Sequence, residues 1–136
     1  MMNDEICIEE LLSGLSLGML AIDHIIDKIK DQQLYDIVIH QRKAYGDLKE
    51  RIMEKYPSSE DEVKQKFMIE SMLKMKTLLT NDRKIAKMLT EGCNQSIMTM
   101  THLLNKQQTH DMHLLNYAHT FEDISKKYIE ELKRFL

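Results

Sequence analysis

The chain has 136 residues, 43% hydrophobic and 30% charged, with a net charge of −3, which suits one soluble domain (residues 1–136) with a real core and is short for two. Acids and lysines are interspersed along it, without the basic face of a nucleic-acid binder, and charge interrupts every apolar run before it is long enough to cross a membrane. The start, MMNDEICIEE, is acidic where a secretory leader is basic, so the expected location is cytoplasmic.

The first expected helix spans residues 4–30. Ile8, Leu12, Leu15, Met19, Ile22, Ile26 and Ile29 alternate steps of four and three, the seam of nearly parallel helices in a bundle. Gly14 and Gly18 lie one turn apart with Ala21 close to the same side. This small-residue face suits either a close crossing within the chain or the seam of a homodimer. Asp31-Gln32-Gln33 then reads as a short reversal into a second helix, residues 34–55, antiparallel to the first. Its inward line is Leu34, Ile37 or Val38, Gln41, Tyr45, Leu48 and Ile52. Gln41 and Tyr45 break the apolar rule halfway along. Asp23 and His24 on the first helix are expected near the same level, so a polar band is expected inside the bundle.

Tyr56-Pro57-Ser58-Ser59 reads as a turn, and Ser59 with Glu62 has the spacing of a capping box. A shorter third helix, residues 60–79, follows and is rich in methionine and lysine. Met68, Met72 and Met75 on it suit adaptable packing or partner binding, and its Met/Lys face would also suit a membrane surface or a spore layer. The next helix, residues 82–105, is capped by Asn81 or Asp82 and carries Leu89, Cys93, Ile97, Met100 and Leu104 on one face. Gly92 and Ser96 flank that face, and a glycine in a helix interior costs about 1 kcal/mol relative to alanine. A close neighbour at Gly92 is the expected compensation. A polar turn at 105–109 leads to the last helix, residues 110–135, with Leu114, Ala118, Phe121, Ser125, Tyr128, Leu132 and Phe135 inward and Tyr117 and Ile124 widening the face. No run of residues reads as a strand. The expectation is an all-α, up-down-up-down four-helix bundle with an extra shorter helix between the second and third long ones.

The stretches MLKMKTLLTND, IAKMLTEGCNQSIM and IEELKRFL, with LSLGMLAID and QRKAYGDL in the first half, resemble uncharacterised clostridial-type ferritin-like four-helix-bundle proteins. The resemblance covers most of the chain and rests on apolar and small positions. It implies a ferritin-like bundle and raises the question of a di-iron site, which takes a carboxylate from each of two helices and Glu-x-x-His from each of the other two. This chain has no Glu-x-x-His on its second or last helix. The nearest substitutes are Asp23 or His24, His40 with Gln41, Glu91, and His119 with Glu122 in reversed order, of which Asp23, His119 and Glu122 form the best degenerate set. His110 and His113 with Asp111 read as solvated residues at a helix start.

Cys7 and Cys93 match no zinc or redox spacing and read as small apolar core residues. No phosphate loop or nucleophile elbow occurs. The sequence therefore points to a non-enzymatic bundle without a cofactor, working by protein association or self-assembly, with a homodimer as the first expectation. Gly14, Gly18, Met68, Met72 and Met75 are its candidate contact residues, and a ferritin-like metal-binding protein of iron or oxidative-stress metabolism is the alternative.

Overall fold

A computed structural model describes residues 2–57, 81–106 and 110–136. They form four long helices: α1 (Met2–Ile25), α2 (Gln32–Lys55), α3 (Asp82–Asn105) and α4 (Met112–Leu132). Short 3-10 turns at Ile26–Lys28 and Lys133–Phe135 follow α1 and α4. The expected helix at 60–79, with Met68, Met72, Met75 and the Ser59/Glu62 box, lies outside the described residues.

Side-chain caps begin three of the helices. Asp31 Oδ1 accepts from the backbone N–H groups of Gln33 and Leu34 at 2.8 and 3.1 Å, and Asn81 from that of Lys84 at 2.9 Å. Asp111 accepts from the N–H of His113 at 2.9 Å. Each supplies an acceptor to a first-turn N–H that has no carbonyl within the helix. Asp82, the alternative cap of α3, does something else: its two oxygens accept from the N–H groups of Lys30 and Asp31, each at 2.9 Å. That contact helps explain why α1 stops at Ile25 rather than near residue 30. The backbone turns extended at Ile29, and the next two N–H groups point at a carboxylate of another helix.

The buried faces follow the expected periodicity most closely on α2 and α4. Leu34, Val38, Gln41, Tyr45, Leu48 and Ile52 are buried on the first, and Leu114, Ala118, Phe121, Ser125, Tyr128 and Leu132 on the second. On α1 the core side is rotated from the expected seam: Cys7, Leu11 and Ile25 are buried with Leu12, Leu15 and Ile22, while Ile8, Met19, Ile26 and Ile29 are only partly covered. The sequence of α1 is apolar around much of its circumference, which blurs a single stripe.

The core has two apolar parts. One joins Cys7, Leu11, Leu12 and Leu15 of α1 to Tyr45, Leu48 and Ile52 of α2, Met100 and Leu103 of α3, and Leu114, Ala118 and Phe121 of α4. The other joins Ile22 and Ile25 to Leu34 and Val38, to Ile85, Ala86, Met88 and Leu89, and to Leu132. Thus α1 and α4 run from the first part to the second, and α2 and α3 run back. The closest packing is of α3 on α4, α1 on α2 and α2 on α4, all antiparallel neighbours. The order along the chain is up-down-down-up, which corrects the up-down-up-down expectation for the long helices. The chain leaves α2 at one end of the bundle and enters α3 at the other.

Candidate functional site: a polar layer inside the bundle

Between the two apolar parts each helix contributes a small or polar residue: Gly18, Gln41, Cys93 and Ser125. Tyr45 organises this layer. Its ring lies against Gly18, where an added Cβ would stand 2.9 Å from Tyr45 Cε2, and it meets Phe121 edge to face with ring centroids 5.4 Å apart. Phe121 in turn fills the space at Gly14, where a Cβ would stand 2.8 Å from its Cε2. The missing side chains of α1 therefore admit two aromatic rings from α2 and α4. The Gly14/Gly18 face is a close crossing within one chain.

With its ring seated on α1, Tyr45 carries its hydroxyl across the bundle. The oxygen lies 3.3 Å from Ser125 Oγ and 3.7 Å from Cys93 Sγ. Gln41 Nε2 donates to the same oxygen at 3.2 Å and to Cys93 Sγ at 3.3 Å. Gln41, Cys93 and Ser125 are at most 2% exposed. Burial raises the Tyr45 phenol well above its ordinary value, and the neighbouring Cys93 adds to the effect. It also raises the Cys93 thiol, against a smaller opposite pull from the hydrogen bonds of Tyr45 and Gln41. Both groups are held neutral, and a neutral buried thiol is a poor nucleophile. The layer is suited to hydrogen bonding among neutral groups.

Half of the expected polar band is thus present and half is not. Asp23 and His24 lie on the surface. Asp23 is gripped by Arg42, whose Nε donates to Oδ1 and whose Nη2 donates to Oδ2 at 2.9 Å, a two-pronged pair across α1 and α2 in solvent. An ionised Asp is far cheaper to keep there than in a core with no partner. Cys93 and Ser125 take the places inside. They already stood on the expected inward faces, and the signal that they join Gln41 and Tyr45 is that all four lie in the middle part of their helices.

The remaining candidate ligands do not converge. Glu122 accepts from Thr101 Oγ1 at 2.8 Å and from Lys126 Nζ at 3.0 Å. Burial pushes its carboxyl up, but these two hydrogen bonds together with the charges of Lys126 and His119 outweigh that and hold it below its ordinary value. His119 and His40 are exposed, as is Glu91. Among the described residues no three His, Cys, Asp or Glu side chains are grouped to hold a metal ion. Gly92 is exposed, and a Cβ there would meet nothing within 4 Å among the described residues, so the close neighbour expected at that point of α3 is not found.

Two further surface features stand out. Tyr56, at the end of α2, donates to Asp111 Oδ2 at 2.6 Å and packs edge to face on Tyr117, tying α2 to the cap of α4. An open groove of about 420 Å³ between α2 and α4 is lined by Ile37, His40, Lys43, Ala44, Asp47, Lys127, Tyr128 and Glu131. Its charges are of both signs. Among the described residues no helix is long and apolar enough to cross a membrane. Comparison with protein-family models, with curated proteins and with solved structures gives no match.

Proposed function

We propose that this bundle works by protein association, with a second copy of itself as the first partner. The reading is carried by Met98 and Met112, which stand 66% and 65% exposed on α3 and at the start of α4. The interior polar groups are neutral and sealed, and the candidate ligands Asp23 and Glu122 are held in ion pairs. That leaves these flexible apolar side chains in water as the chemistry most available to a partner, since methionine adapts to varied surfaces. Such contact between identical chains would close as a two-fold dimer. Sedimentation velocity across a concentration series is the test. A concentration-dependent dimer that weakens in Met98→Lys or Met112→Lys supports the reading, and a strict monomer at every concentration refutes it.

A ferritin-like metal-binding protein is the second reading. Its support is the connection from α2 to α3, which joins opposite ends of the bundle, because ferritin-like bundles use one long crossover of this kind. The donor set speaks against a di-iron centre: Asp23 is committed to Arg42, and Glu122 to Lys126 and Thr101. Elemental analysis of tag-free protein after anaerobic incubation with ferrous iron and desalting separates the two readings. Two irons per chain would establish the second.

A further inference from the structure

The amide of Gln41 is only half used. Nε2 has two partners, Tyr45 and Cys93, while Oε1 is buried without a hydrogen-bond donor among the described residues. Exchanging the two ends of the amide does not cure this. The oxygen would then accept from the Tyr45 hydroxyl and the Cys93 thiol, and the NH2 group would be left without an acceptor. In either orientation one end of a 2%-exposed side chain lacks a partner among the described residues, and leaving a buried polar group unpaired is strongly unfavourable.

The layer around it is built small. Where the core above and below is filled by leucine, isoleucine and phenylalanine, α3 and α4 place only Cys93 and Ser125 at this level. Ser125 is fully buried, and its hydroxyl, able to donate once and accept twice, bonds Tyr45 alone among the described residues. We propose that this level binds one internal water molecule, held by the free end of the Gln41 amide and by a second hydroxyl or thiol of the layer. Water fits both orientations of the amide, because it donates to Oε1 in one and accepts from Nε2 in the other. A metal cation does not fit, since the groups at this level are neutral and a desolvated charge without a counter-charge is expensive. Buried waters commonly make about three hydrogen bonds to polar groups that would otherwise lack partners.

The test is a high-resolution crystal structure of the unmodified protein, joined to oxygen-17 relaxation dispersion in solution. The expected results are a water peak at hydrogen-bonding distance from the outer end of the Gln41 amide, and the loss of one long-lived water per chain in Gln41→Leu. Carbon atoms packed directly against that end of the amide in the unmodified protein would overturn the proposal, as would a peak with the coordination of a metal ion. A dispersion amplitude unchanged by Gln41→Leu would also overturn it. Should that variant not fold, the crystal structure decides alone.

Discussion

Replacing glycine by alanine is expected to stabilise this bundle at one position and to give no gain or a loss at another. In a helix interior alanine is favoured over glycine by about 1 kcal/mol, whatever surrounds it. At Gly92 a Cβ meets nothing within 4 Å among the described residues, so the whole gain is expected to survive in Gly92→Ala. At Gly14 the same atom would stand 2.8 Å from Phe121 Cε2. Carbon atoms rest at about 3.5–4.0 Å, so the methyl group is roughly 0.7 Å too close. Phe121 is fully buried and held against Tyr45, which leaves little room for the ring to retreat. Overpacking of this kind costs about 1–3 kcal/mol, which offsets or exceeds the gain in propensity. Gly14→Ala should therefore fall about 1–3 kcal/mol below Gly92→Ala. Urea denaturation followed by far-ultraviolet circular dichroism measures both, and a stabilisation near 1 kcal/mol should raise the melting temperature by roughly 3–5 °C. A Gly14→Ala protein as stable as Gly92→Ala would refute the close packing of α1 on α4.

Three further outcomes follow from the contacts at the ends of the bundle and from its thiols. Asp82→Ala removes the shared acceptor of the Lys30 and Asp31 N–H groups, with an expected loss of about 1.5–3 kcal/mol. Amide hydrogen exchange should accelerate at those two residues, and unchanged protection would count against the clasp. The Asp111 carboxyl is held below its ordinary value, first by the Tyr56 hydroxyl. Its contribution is complete above the unfolded value near 4 and is lost as pH falls through the lower folded value. Melting temperatures measured against pH should drop more steeply in acid for the wild type than for Tyr56→Phe, and parallel curves would deny the linkage. Burial raises both thiols, Cys7 with help from Asp4 and Glu10, so both should resist alkylation in the native protein and react freely in urea. Rapid labelling of either thiol in the folded state would contradict the packing.

What the sequence made legible was periodicity. The inward residues of α2 and α4 could be read directly because polar residues flank each apolar line. On α1 they could not: LLSGLSLGMLAI is apolar on most sides, and no local rule separates the core-facing leucines from the rest. Helix direction was hidden for a different reason. Every helix carries a similar seam, so α3 fits the bundle in either sense, and its direction depends on where the chain re-enters after residue 57. The glycines show the same limit. Gly14, Gly18 and Gly92 all read as close-contact positions, yet among the described residues only the first two face a ring, because a missing side chain says nothing about which neighbour approaches. Within the site, Gln41 and Tyr45 were conspicuous as polar residues on an apolar line. Ser125 and Cys93 were not, since each also fits a tightly packed core.

The polar layer also bears on how four such similar helices choose one alignment. Leucine and isoleucine lines tolerate sliding, because a shift of one turn, about 5.4 Å, exchanges one apolar contact for another. Gln41, Tyr45, Cys93 and Ser125 do not tolerate it. They bond one another only when α2, α3 and α4 are level, and a one-turn slip would bury their polar atoms against hydrocarbon at about 1–3 kcal/mol for each group left unpaired. Two such losses are comparable with much of the net stability of a small domain. Gly14 and Gly18 extend the same constraint to α1, since only there can the Phe121 and Tyr45 rings approach its backbone. The layer that interrupts the apolar core is thus the part of it that discriminates most strongly between alignments.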